Sequence, residues 1–242
     1  MKTTEQFADL MCCNSVAAWR NLVFKLGNEL GYEQTLLAIL PDRNAPVEPE
    51  YAFLQSNYSA DWLHKYTAER MHHVDPAFTH CASKSIPLIW SPDIFSARKQ
   101  KEIYEEACGP GLRSGVTLPI HGAQGEMGIL CFVSDTKPGK RFQQEVHGLL
   151  PELSYFRDVI FETSLQFMKP SEFPEKLSVT PCELECIKWC AAGKSSWDIA
   201  QILHRSEAAV NFHFGNLRRK FKVSSRQQVV VKALRCGLIH PC

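Results

Sequence analysis

The chain has 242 residues, a 45% hydrophobic fraction, 22% charged residues and a formal net charge of +1, which suits one large soluble domain or a medium domain joined to a small one. No apolar run reaches the roughly 18 residues that a membrane span needs, and the start MKTTEQFADLMCCNSV lacks the basic and apolar regions of a signal peptide. A cytoplasmic location is therefore expected, and the 10 cysteines, none in a C-x-x-C pair, read as reduced thiols.

Residues 4–31 read as a helix, with Val16, Trp19, Leu22, Val23, Leu26 and Leu30 at helical spacing and Gly31 as the stop. The run QTLLAIL before Pro41 is a buried strand, and YAFLQS is a second. SADWLHKYTAERM opens on a serine cap and sets Trp62 and Tyr66 one turn apart. Asp75 caps DPAFTHCAS, with Pro76 in the first turn. ARKQKEIYEEAC is a charged helix that stops before the Gly-Pro-Gly at 109–111. In SGVTLPIHGAQGEMGILCFVSD two strand-like runs flank a turn carrying Gly122 and Gly125. Alternation there sets Thr117 and Pro119 on one face, and Val116, Leu118 and Ile120 on the other. GKRFQQEVHGLLPELSYFRDVIFETSLQFM is a long helix, with a bend expected at Pro151. The front is thus α+β, a small sheet with helices packed over it. The polar, proline-bearing KPSEFPEKLSVT marks a linker, giving a front domain at 1–168, a linker at 169–178 and a tail domain at 179–242.

Charge supports the division. Residues 1–174 carry 16 Lys/Arg against 21 Asp/Glu, whereas residues 175–242 carry 11 against 5, so the tail suits a polyanionic partner. Four short helical patterns fill it. Thr180 and Glu183 form a capping box, Leu184, Ile187 and Cys190 an apolar face, and Gly193 the stop. SSWDIAQIL is the second helix, HRS the turn, and Ser206 the cap of EAAVNFHFGNLRRKF. There Val210, His213 or Phe214, Leu217 and Phe221 fall inward, leaving Asn211, Phe212, Gly215, Arg218, Arg219 and Lys222 outside. A short helix, a tight turn and a basic helix make the layout of a major-groove reader, in which one helix braces on the phosphates and the next enters the groove. Asn211 suits an adenine edge and Phe212 thymine methyls; Lys194, Arg218, Arg219 and Lys220 suit phosphates. Cys182, Cys186 and Cys190, four apart, read as packed small residues on one helical face rather than as metal ligands.

From Thr180 to Phe221 the chain resembles the helix-turn-helix of LuxR-type regulators, matching at Glu183, Ile187, Gly193, Lys194, Ile199, Ala200, Leu203, Val210, His213, Lys220 and Phe221. Asp198 and Ala209 stand where Glu and Thr are usual, and the resemblance makes His213 a core residue. In front, NYSADWLHKYTAERMHHVDPAFTH, PLIW and GLRSGVTLPIHGAQGEMGILCF resemble the autoinducer-binding domain of the quorum-sensing branch, through Trp62, Tyr66, Asp75, Pro76, Trp90 and Gly115. The front domain resembles LasR-like receptors of long-chain N-acyl homoserine lactones.

This resemblance implies an N-terminal α/β/α sandwich with an antiparallel sheet, followed by an all-α four-helix helix-turn-helix domain. It implies a bacterial cytoplasmic transcription factor that binds the lactone, pairs as a homodimer through the helix around 142–166, and acts on promoter double-stranded DNA and RNA polymerase. No cofactor, metal or catalytic residue is expected. Asp75 is expected to accept from the ligand amide N–H, Trp62 to donate to the lactone carbonyl and Tyr58 to donate to the amide carbonyl. Tyr66, Trp90, Phe95 and Leu118 are expected to shape the walls, with Ala77, Thr117 and Cys131 beside the head. Relatives place hydroxyls at the positions of Ala77 and Cys131, and a basic residue can stand at that of Leu63, so a 3-oxo preference is left open. DNA contacts are expected at Lys194, Ser195, Asn211, Phe212, Gly215, Arg218, Arg219, Lys220 and Arg226.

Other classes fit less well. No G-x-S-x-G or H-E-x-x-H is present, and Gly193-Lys194-Ser195 lacks the first P-loop glycine, Lys188 standing there. The run before Pro41 lacks the acidic pocket of a phosphorylated receiver domain. A regulator of the same build that answers a non-lactone signal, or none, remains the alternative.

Overall fold

The computed structural model describes residues 8–41, 45, 47, 51–168, 179–235 and 238–239; the linker expected at 169–178 lies outside the described residues. The chain divides into two compact units, the first running to residue 169 apart from three residues of a hairpin turn.

Residues 8–11 form a helical turn, and a separate helix, α1, spans Val16–Glu29. One helix over 4–31 was expected; Ser15 divides it, because its extended backbone and its side chain, which accepts from Ala18 N–H at 3.2 Å, start a new helix there. Helix α1 ends ahead of Gly31, whose φ of 90° belongs to the left-handed region. Strands β1 (Gln34–Leu40) and β2 (Phe53–Ser56) follow, then α2 (Ala60–Ala68), capped by Ser59, and α3 (Pro76–Ser83), capped by Asp75. Strand β3 (Leu88–Ile89), helix α4 (Arg98–Cys108), strands β4 (Ser114–His121) and β5 (Met127–Ser134), and helix α5 (Lys140–Ser164) complete the unit. Helix α5 runs uninterrupted through Pro151.

The five strands form one antiparallel sheet in the order β2-β1-β5-β4-β3. Period-two alternation divides its residues between two layers. Leu37, Ile39, Val116, Leu118, Ile120, Leu130 and Phe132 pack with Trp19, Val23 and Leu26 of α1 and Phe142, Val146, Leu153, Phe156 and Ile160 of α5. At the α1 crossing, a Cβ on Gly27 would sit 2.7 Å from Thr35 Oγ1, so only glycine fits. The opposite face carries Leu36, Ala38, Ile129 and Cys131, with residues of α2, α3 and α4 over it. The front unit is therefore an α/β/α sandwich.

The second unit holds α6 (Pro181–Ala191), α7 (Ser196–Ile202), α8 (Glu207–Phe221) and α9 (Arg226–Arg235). Thr180 with Glu183, and Ser195 with Asp198, form capping boxes, and Ser206 caps α8. Cys186, Ile187, Ile199, Ala200, Val210, Phe214, Leu217, Phe221, Val229 and Ala233 form its core. The α7–α8 turn bends at His204, with φ 52°. The result is a four-helix helix-turn-helix domain.

Candidate functional site

Between the sheet and helices α2–α4 lies a cavity of about 160 Å³. Strands β1, β2 and β5 supply its apolar floor, Leu36, Ala38, Leu54 and Ile129. Helix α4 and the turn after it supply Ile103, Ala107 and Leu112. Among the described residues no Lys or Arg lines it.

Asp75 stands in this cavity because it caps α3. Its Oδ1 accepts from Ala77 N–H at 2.8 Å, and its Oδ2 accepts from the Tyr66 hydroxyl at 2.7 Å. Burial pushes the carboxyl's pKa up, against the Tyr66 hydroxyl and the Ala77 and Phe78 N–H groups, which pull it down. Three donors thus meet a carboxylate with roughly four lone-pair directions, which leaves capacity for one more. Tyr66 itself is held high, by burial first and then by the Asp75 charge.

Tyr58 lines the same cavity, and its buried hydroxyl has no hydrogen-bond partner of acceptable geometry among the described residues. Burial, followed by the neighbouring Cys131 and Asp75, pushes its pKa well above 10.0. Trp62, 8% exposed, packs its ring 6.1 Å from that of Tyr66. The Trp62 indole N–H has no partner among the described residues. The Trp90 ring also lines the cavity, but its N–H donates to Thr117 Oγ1 at 2.8 Å, and that hydroxyl lies 3.3 Å from Cys131 Sγ. Burial pushes the Cys131 thiol up to about 12. Phe95 stacks on Tyr104 with centroids 4.7 Å apart.

Tyr58, Trp62, Tyr66, Asp75, Ala77, Trp90, Phe95 and Cys131 are thus brought around one cavity, and Thr117 stands directly behind Trp90 and Cys131. Leu118 is not brought there. It is fully buried on the other face of the sheet, between Val116 and Ile120, as strand alternation requires. The wall residues Leu36, Ala38, Leu54, Ile129, Ile103 and Leu112 were not singled out from sequence. Their signal lies in the pairing of Leu36 and Thr117 with Cys131, which places β1, β4 and β5 residues in one row.

In the second unit Lys194, Asn211, Phe212, Arg218 and Arg219 are exposed, Phe212 at 64%, and Gly215 is half-buried on the same helix α8. Asn211 Oδ1 accepts from Ser196 Oγ at 2.7 Å. The exposed Ser195 donates its hydroxyl to Asp198 at 2.7 Å, so its side chain serves the cap of α7. Two other residues expected on DNA, Lys220 and Arg226, are half-buried and engaged within the unit. Lys220 donates to Glu183 Oε2 at 2.6 Å, and Glu183 is buried, so this ammonium balances an internal carboxylate. Arg226 donates to Cys190 Sγ, Ser196 Oγ and the Lys194 carbonyl at 2.8, 2.8 and 3.0 Å, with its guanidinium 4.2 Å from the Phe214 ring centroid. It latches α9 to the other three helices. His213 is half-buried, its Nε2 3.4 Å from Cys182 Sγ. Among the described residues no three His, Cys, Asp or Glu side chains converge on a metal position.

Comparison with known proteins bears on both units. Residues 15–163 match the autoinducer binding domain family, and residues 177–233 match the luxR family of bacterial regulatory proteins. The chain is 30% identical to the transcriptional activator protein VanR of Vibrio anguillarum, across 91% of this chain and 90% of VanR. It is 32% identical to the transcriptional activator protein AhyR of Aeromonas hydrophila, across 74% of this chain and 70% of AhyR. Among solved structures it is similar to SdiA in complex with octanoyl-rac-glycerol, with a TM-score of 0.80, 22% identity, and coverage of 98% of this chain and 95% of SdiA. That last likeness is one of fold.

Proposed function

The chain belongs to the luxR family of bacterial regulatory proteins, as a quorum-sensing type of transcription regulator with an autoinducer-binding domain ahead of a DNA-binding domain, and from that premise we propose that its ligand is an N-acyl homoserine lactone. The Tyr58 hydroxyl carries the reading. It is buried, without a hydrogen-bond partner among the described residues, and on the same cavity as the Asp75 carboxylate. A polar group left in that state costs about 1–3 kcal/mol, which a ligand carbonyl accepting from it offsets. Asp75 has acceptor capacity left for the ligand amide N–H, and the Trp62 indole suits the lactone carbonyl. The floor of Leu36, Ala38, Leu54 and Ile129 takes an acyl chain. SdiA with octanoyl-rac-glycerol is an instance of this fold holding an acyl chain on a compact polar head.

Ligand binding fills the cavity and stabilises the folded front unit by mass action. Two copies then pair, through Lys140–Ser164, on a partly palindromic promoter site. The exposed Asn211, Phe212, Arg218 and Arg219 of Glu207–Phe221 supply the groove and phosphate contacts, and the DNA-bound dimer engages RNA polymerase. Expressing the full chain with and without a panel of acyl homoserine lactones tests this, with soluble yield and melting temperature as readouts. At least one lactone is expected to raise both, and Tyr58→Phe to blunt the rise. A panel that moves neither quantity overturns the lactone reading.

A further inference from the structure

Within that lactone reading, on which this step rests, we infer that the cavity selects acyl homoserine lactones unsubstituted at the third acyl carbon over their 3-oxo counterparts. Binding here balances the donors of the wall against the acceptors of the ligand. The ligand head carries two carbonyl acceptors and one amide N–H. Asp75 answers the N–H, so each carbonyl needs a donor from the wall.

Most donors on the wall are already engaged. The Tyr66 hydroxyl goes to Asp75 Oδ2 at 2.7 Å, and the Trp90 N–H to Thr117 Oγ1 at 2.8 Å. The Thr67 hydroxyl goes to the Leu63 carbonyl and the Tyr104 hydroxyl to the Arg113 carbonyl, both at 2.9 Å. The Cys131 thiol is a weak donor and sits 3.3 Å from the Thr117 hydroxyl. His72 packs its ring with centroids 4.2 Å apart against His73 and edge-on to Phe78, and a further interaction engages it. Among the described residues that leaves the Tyr58 hydroxyl and the Trp62 indole N–H, two donors for two carbonyls.

A 3-oxo oxygen is a third acceptor. Beyond the engaged Tyr66, Trp90 and Cys131, the side chains clustered with Tyr58 and Trp62 are apolar, Leu36, Leu63 and Ile129 among them, and offer it nothing; Ala77 adds only a methyl group to the wall. An acceptor taken out of water without a replacement partner is unfavourable enough to weaken binding by about tenfold. An unsubstituted chain meets the same wall with methylene groups and loses nothing.

The test uses the full chain and matched pairs, N-octanoyl, N-decanoyl and N-dodecanoyl homoserine lactone against the 3-oxo form of each. The dose giving half-maximal soluble yield in cells is read first, then the melting shift of the purified protein, so that a chain unstable without ligand can still be measured. The unsubstituted member is expected to act at about one-tenth of the dose. Ala77→Ser, which returns a hydroxyl to the wall, is expected to narrow that ratio. A 3-oxo member that acts at an equal or lower dose overturns the selectivity while leaving the lactone reading intact. A ratio unmoved by Ala77→Ser overturns the donor count. Only a failure of both series to act brings down the lactone reading itself.

Discussion

Replacing Asp75 with asparagine separates the charge of the cavity from its shape. In the wild-type chain Oδ1 accepts from Ala77 N–H and Oδ2 from the Tyr66 hydroxyl. Asparagine keeps the first bond, since its carbonyl oxygen caps a helix as well as a carboxylate does. At the second position an NH2 group replaces an acceptor, so a ligand N–H arriving there meets another donor. The lost bond is charge-assisted, about 1.5–3 kcal/mol, or roughly 10–150-fold in Kd. With ligand at about 100 times the wild-type Kd, linkage stabilises the wild type by about 2.7 kcal/mol and a hundredfold weaker variant by about 0.4 kcal/mol. For a chain of this size those energies become melting shifts of about 5–11 °C and 1–2 °C.

Without ligand the substitution acts in the opposite direction. Burial raises the Asp75 pKa above its usual 3.8. The group therefore favours folding most below that value, and the contribution is lost as pH rises through the raised folded-state pKa. At neutral pH unliganded Asp75→Asn is expected to melt no lower than wild type. Thermal melts of both proteins, with and without lactone, measure both effects. An undiminished ligand shift in the variant would refute the role given to the carboxylate.

Lys220→Met is expected to destabilise the second unit by about 1–3 kcal/mol, less than for a fully buried pair because the Lys220 side chain is 34% exposed, and to leave the salt dependence of DNA binding unchanged; a flatter salt slope would return Lys220 to the interface. Its partner gives the same pair a pH signature. Burial pushes the Glu183 carboxyl up, but the Lys220 ammonium and Thr180 outweigh it and the net pKa is lowered from 4.5. The stability contributed is present above that value and lost as pH falls through the lowered folded-state pKa, a dependence that an acid titration should find missing in the variant. Arg218→Ala is expected to weaken DNA binding almost uniformly across sequences and to reduce the slope of log K against log salt by about 1. Wild-type affinity with the slope intact would remove Arg218 from the contact surface.

The features legible in the sequence were those decided by residues close together along the chain. Ser59, Asp75, Thr180, Ser195 and Ser206 cap helices through bonds to N–H groups two or three residues on, so a few consecutive letters suffice. Ser15 belongs with them, and its division of the first helix was open to the same reasoning. Leu118 was legible too, since alternation along β4 set it opposite Thr117 before any cavity was known. The internal engagement of Lys220 and Arg226 was not. Their partners Glu183 and Cys190 lie 37 and 36 residues away, and a run of basic residues looks the same whether it meets phosphate or an internal carboxylate. The cavity floor needed the register of β1 against β5, which composition does not reveal.

Strands β1 and β5 work on both sides at once. Leu36, Ala38, Ile129 and Cys131 look into the cavity, while their immediate chain neighbours Leu37, Ile39, Leu130 and Phe132 hold α1 and α5. Only a single-ply partition separates whatever fills the chamber from the long helix behind it. A guest that nudges those strands by a fraction of an ångström therefore leans directly on the seats of Val146, Phe156 and Ile160, and occupancy reaches the back of the sandwich with no hinge or relay in between.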